Sequence, residues 1–93
     1  MVIIMQNIYK KENISLNYLN NYTKFSLRGN ILHFYNTIYD KKVTLEGKNE
    51  CLKEFLQNII QGVDDKSLLN ILNKISDKPT LLYECLLQNF IIE

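Results

Sequence analysis

The chain has 93 residues, 46% of them hydrophobic and 23% charged, with a formal net charge of +1. That is enough for one core, and it excludes a second domain or the deep substrate cavity of a large multi-step enzyme. A charge so close to zero argues against whole-molecule attraction to polyanions, so neither nucleic acid nor membrane is expected as a partner.

In chain order, residues 1–21 are expected to be an N-terminal extension and residues 22–93 the recognisable domain. Met1-Val2-Ile3-Ile4-Met5 is an apolar run of five residues with no basic stretch before it. It falls short of a secretory signal or a membrane span, so a cytoplasmic location is expected. Met1 to Tyr9 leaves open an extra strand, while Ile14 to Leu19 is too short and too rich in Asn to assign. Beyond Tyr22, Phe25 and Leu27 alternate with Lys24, Ser26 and Arg28, the period of a half-buried strand with Phe25 and Leu27 facing inward. Gly29-Asn30 is a turn signal. Ile31 to Ile38 is dense in β-branched and aromatic residues, and after Asp40-Lys41-Lys42 comes the short alternation Val43-Thr44-Leu45-Glu46. Three strands are predicted, the last two forming a hairpin.

From Asn49 the period becomes helical. Leu52, Phe55, Leu56, Ile59 and Ile60 share one face, with Asn49 expected as N-cap and Gly62 just past the end. Asp64 is expected to cap a second helix that turns Leu68, Leu69, Leu72 and Ile75 inward. Asp77-Lys78-Pro79 opens a third, which presents Leu82, Cys85, Leu86 and Asn89 on one side, because Pro is tolerated in a first turn. Phe90-Ile91-Ile92 is left as a short strand or a segment packed on the hairpin. The predicted class is α+β, a winged-helix-like βββααα arrangement of a three-stranded antiparallel sheet and a three-helix bundle, with an extra N-terminal strand left open as an option.

Catalytic constellations are missing. His33 is the single imidazole and lies mid-strand, where a solvent-facing or hydrogen-bonded role is expected. Two cysteines, Cys51 and Cys85, with one histidine cannot make a four-ligand zinc site, and both read as small buried hydrophobes. The three glycines mark element boundaries and form no phosphate loop. Asp64-Asp65 reads as helix capping, and the many asparagines read as compositional background. No enzyme activity, metal or cofactor is expected.

Charge is unevenly divided. Residues 1–48 hold seven Lys/Arg against three Asp/Glu, or +4; residues 49–93 hold four against seven, or −3. The third helix carries no basic residue, which makes it a poor reader of base edges. An exposed sheet edge is a different kind of site, since an extended peptide can complete its ladder without any catalytic group. Lys41, Lys42 and Lys48 flank the last strand, where they serve equally as protection against aggregation.

The order of three strands and three helices resembles the PqqD-like recognition element of ribosomally synthesised, post-translationally modified peptide (RiPP) pathways. The likeness runs through Ile31-Leu32-His33-Phe34-Tyr35-Asn36 and Asp40-Lys41-Lys42-Val43-Thr44-Leu45. It continues in Phe55 to Asp64 and in the terminal stretch Leu82 to Ile92, and is closest to versions that head cyclodehydratase or E1-like (ThiF-like) proteins. The resemblance implies a non-catalytic domain that captures the leader of a precursor peptide as an antiparallel strand on the third strand, lying against the third helix. Lys42, Val43, Thr44, Leu45 and Glu46 then supply the ladder, Lys41 and its neighbours attract acidic residues, and Leu82, Tyr83, Leu86 and Leu87 line the helical wall. The implied partners are the precursor peptide and a modifying enzyme such as a cyclodehydratase, an E1-like or a radical-SAM protein; a homodimer is left open. The alternative is a small winged-helix DNA-binding regulator or an interaction module of the phage-type inhibitor kind.

Overall fold

The computed structural model describes residues 15–93, so the strand considered for Met1 to Tyr9 lies outside the described residues. The architecture is an open three-stranded antiparallel sheet followed by three helices, βββααα, as the sequence pattern predicts. The strands are β1 (Thr23–Arg28), β2 (Ile31–Asn36) and β3 (Lys41–Glu46), in the order β1-β2-β3. The helices are α1 (Asn49–Gln61), α2 (Asp65–Leu72) and α3 (Pro79–Gln88).

Gly29 has φ +59° and Asn30 does not share its positive φ, the pattern of a type II′ turn that joins β1 to β2 with the twist strands require. In register, Phe25 lies opposite Phe34 and Phe34 opposite Val43, while Ser26, His33 and Thr44 form the next row on the other face. One face is covered: Leu32, Phe34 and Leu45 are buried with Leu52, Phe55, Leu56 and Ile59 of α1. Phe34 meets Phe55 edge-on, with ring centroids 6.0 Å apart, a geometry that adds to area burial. Leu68, Ile71 and Leu72 of α2, Leu86 of α3, and Ile91 and Ile92 complete the core.

Several side chains depart from the periodicity. Phe25, expected inward, is 46% exposed, and Ile60 is 52% exposed. Phe25 shares the inner face with buried Phe34, but β1 is an edge strand beyond the reach of α1, so a helix stripe and a strand alternation both overshoot what neighbours cover. In α2 the buried set is Leu68, Ile71 and Leu72, with Leu69 only half-buried. The helix stops at Leu72, which leaves Ile75 in the following loop, packed on the core. Asp64 caps α2 as expected, its carboxylate accepting the Ser67 amide at 3.2 Å. Hydrogen bonding from the Ser67 side chain first, and then from its amide, lowers the Asp64 pKa from its ordinary value. Asn49 is the first residue of α1 and not its cap; its side-chain amide donates to the Gly29 carbonyl, tying α1 to the first hairpin.

Two tethers fall where no strand is predicted. Asn17 pairs with Val63, and Leu19 with Ile92, each as an antiparallel bridge. The Tyr18 and Glu93 backbones exchange two bonds of 2.8 Å, so residues 17–20 are bonded to the ends of α1 and of the chain. Tyr18 lies over Gly62, the residue that ends α1 with φ +101°. A Cβ on Gly62 meets the Tyr18 ring at 2.5 Å, whereas one on Gly29 meets nothing within 4 Å. Gly62→Ala is therefore expected to lower unfolding stability by about 1–3 kcal/mol, and Gly29→Ala by only the smaller backbone penalty, as read from urea midpoints.

Candidate functional site: the open edge of β3

The parity of the hydrogen bonds decides what each edge offers. The Thr37 amide bonds to the Tyr22 carbonyl and the Gly47 amide to the Asn30 carbonyl, both at 3.0 Å. Residue pairs 22/37 and 30/47 continue the registers of β1·β2 and β2·β3, so each marks a directly opposed, hydrogen-bonded pair. Such pairs recur every second residue in an antiparallel ladder. Ile31, His33 and Tyr35 accordingly bond to β1, and Leu32, Phe34 and Asn36 to β3. On β3 it follows that Lys41, Val43 and Leu45 bond inward, while the N–H and C=O groups of Lys42, Thr44 and Glu46 point to the open edge and have no backbone partner among the described residues.

This divides the expected ladder. Val43 and Leu45 face β2 with their backbones, and their side chains lie on the covered face, half-buried and buried. The Lys42, Thr44 and Glu46 side chains are exposed on the opposite face; Lys41 is exposed too, but belongs to the row of Val43 and Leu45. The Lys42 ammonium sits over the Tyr35 ring, 5.6 Å from its centroid. Tyr35 donates its hydroxyl to Asp40 at 2.9 Å, and this bond, with the negative charge behind it, raises the phenol's pKa. His33 is exposed and meets the Thr44 hydroxyl at 3.2 Å, the hydrogen-bonded strand role expected of it.

The β1 edge is open over fewer residues. By the same parity Thr23, Phe25 and Leu27 point outward there, but the Thr23 amide is taken by the Asn20 carbonyl at 2.9 Å.

On α3 the residues expected to form a wall do different things. Leu86 is fully buried and has no surface for a ligand; at the centre of the helix's inward face, it goes to the core. Tyr83 donates its hydroxyl to Asn17 at 3.0 Å and lies 3.3 Å from Asp65. It thus faces the start of α2, and Leu87, one turn on, shares that flank. Leu82 is half-buried. The flank opposite Tyr83 carries half-buried Cys85 and Leu81, which is 58% exposed. Leu81 stands 200° around the helix from Tyr83, a position that α-helical geometry alone identifies once one flank is fixed. Both cysteines are free thiols.

Asparagines, read as background, turn out to hold the site together. Asn36 is fully buried. Its carbonyl oxygen accepts the Ile38 and Tyr39 amides at 3.0 Å each, shaping the turn into β3. Its amide donates to the Phe90 carbonyl at 2.8 Å. Phe90 has φ +58° where Gly is the usual choice after a helix, with the Phe90 amide bonded to the Leu87 carbonyl and the Ile91 amide to that of Leu86. Asn36, the Thr23 hydroxyl at 3.1 Å and a stack of Phe90 on Tyr39 at 4.0 Å hold it there. The end of α3 is thereby pinned beside the start of β3. Asn17 does the same elsewhere: its amide donates to Val63 and Asp65, and its carbonyl oxygen accepts from Tyr83.

Among the described residues no cluster of metal-binding side chains occurs, and no helix is long and apolar enough to cross a membrane. Comparison of the chain with protein-family models, curated proteins and solved structures finds no match.

Two outcomes are expected. Asn36→Ala, which strands two turn amides and leaves the Phe90 carbonyl only the Thr23 hydroxyl, lowers stability by about 1–3 kcal/mol in chemical denaturation. Tyr83 has its pKa raised, by burial first and then by Asp65. Its contribution is complete below the ordinary tyrosine pKa and is lost as pH rises through the raised folded value. Tyr83→Phe therefore flattens the fall in stability measured above about pH 10.

Proposed function

We propose that this chain is a non-catalytic recognition domain that binds the leader region of a ribosomally synthesised precursor peptide and presents it to a RiPP-modifying enzyme. The leader adds as an antiparallel strand to β3 and lies toward the flank of α3 that carries Leu81, Leu82 and Cys85. The observation that carries this reading is the row of outward backbone groups at Lys42, Thr44 and Glu46, since strand addition draws its affinity from main-chain bonds and its specificity from alternate side chains. Support comes also from the βββααα order, from the resemblance noted in the sequence, and from the network at Asn36 and Phe90 that ties the segment after α3 to the turn leading into β3. Catalysis belongs to the partner enzyme; the domain supplies effective concentration, which makes modification of the tethered core nearly intramolecular.

Titration of the folded chain with the leader of a precursor peptide encoded beside its gene tests this. Saturable binding below about 100 μM is expected, the range in which main-chain addition competes with lost chain freedom. Thr44→Pro, which removes an outward amide without touching the β2 ladder, is expected to weaken binding about tenfold or more while the fold survives. Val43→Pro, which removes an inward amide, unfolds the hairpin instead. Leader binding unchanged in Thr44→Pro overturns edge pairing.

A further inference from the structure

The parity that frees Lys42, Thr44 and Glu46 also fixes which side chains a bound strand places beside them, and those three carry an ordered charge. Directly opposed residues of an antiparallel pair project to the same face, with Cβ atoms about 4.5–5.5 Å apart. A strand that bonds to the outward groups of β3 therefore sets three of its side chains on the uncovered face, opposite Glu46, Thr44 and Lys42 in turn. Its two intervening residues project to the covered face, beside Leu45 and Val43. Glu46 and Lys42 are exposed, and the described residues hold neither in an ion pair; the single salt bridge among them joins Lys74 to Glu54 at 3.0 Å. Lys42 is held on the uncovered face by the Tyr35 ring beneath it.

Resting on the strand-addition reading, we propose that the β3 edge selects its ligand by charge order. Read from N- to C-terminus, the preferred five residues are basic, apolar, β-branched or hydroxylic, apolar and acidic. The basic residue pairs with Glu46, the third stands opposite Thr44 and the acidic one pairs with Lys42, while the two apolar residues extend the row begun by Leu45 and Val43. Reversing the charges places like charges directly opposite one another at both ends, which is destabilising at such spacing. The same order makes the edge directional, because a parallel strand would bring its acidic end to Glu46. It also gives this lysine-flanked edge a discriminating function beyond protection from aggregation.

The test uses two synthetic twelve-residue peptides identical except for a central Lys-Val-Thr-Val-Glu or Glu-Val-Thr-Val-Lys, titrated into the isotope-labelled chain and followed by amide chemical shifts. The Lys-first peptide is expected to bind about 3- to 10-fold more tightly at low salt, the sum of two modest exposed pairs. The difference is expected to shrink in 1 M NaCl, where the screening length falls to about 3 Å. In the double variant Lys42→Glu with Glu46→Lys the preference inverts, a readout that misfolding does not produce. Equal affinity of both peptides, with shifts at Lys42, Thr44 and Glu46, overturns charge order and leaves strand addition standing. Absence of binding by either, or shifts confined to Phe25 and Leu27 on the β1 edge, overturns both.

Discussion

A three-stranded sheet with a single face covered is the constraint from which the remaining structure follows. Phe34 on β2, packed edge-on against Phe55 of α1, anchors that one covered face. Among the described residues nothing is layered over the other side, and β2 as the central strand satisfies both neighbours, one residue to each in alternation. Two edges and one polar face are left uncovered by the described residues. What distinguishes the edges is their content: β3 offers three outward residues with ordered charges, whereas β1 has already given the Thr23 amide to Asn20.

Holding the segment after α3 at the turn into β3 means fixing a helix that ends without a glycine. The chain does this with polar bonds, and in a small domain these are costly to break because a stranded buried donor or acceptor carries its full desolvation penalty. Asn36 connects the turn before β3 to Phe90, two residues past α3, and the stack of Tyr39 on Phe90 closes the same corner. Asn17 and Tyr83 connect the opposite flank of α3 to α2. The two networks hold the helix from both sides, so the residues between the strand edge and the free flank need little reordering before a ligand arrives, which favours affinity.

The elements were legible where burial is one-sided and continuous. α1 shows its stripe of Leu52, Phe55, Leu56 and Ile59, and Gly29-Asn30 announces its turn, because local physics alone settles both. Phe25, Ile60 and Leu86 were placed wrongly or assigned to the wrong duty because exposure depends on what lies opposite, which no period encodes. Asn17 and Asn36 are invisible for another reason: in an Asn-rich chain, nothing local separates a buried amide with three or more partners from a solvated one. The outward parity of β3 was within reach. A two-residue turn after Arg28 makes Arg28 and Ile31 a bonded pair, and counting along β2 then assigns the rows at Lys42, Thr44 and Glu46.

Strand addition requires those rows to be unpaired in the free chain, and amide hydrogen exchange of the isolated protein, resolved by residue, reports on them most directly. Val43 and Leu45 should exchange slowly, held by β2, and Lys42, Thr44 and Glu46 much faster, giving an alternation of protection along a single strand. Slow exchange at all five residues would mean that the edge is already occupied, and would contradict the docking of any further strand there.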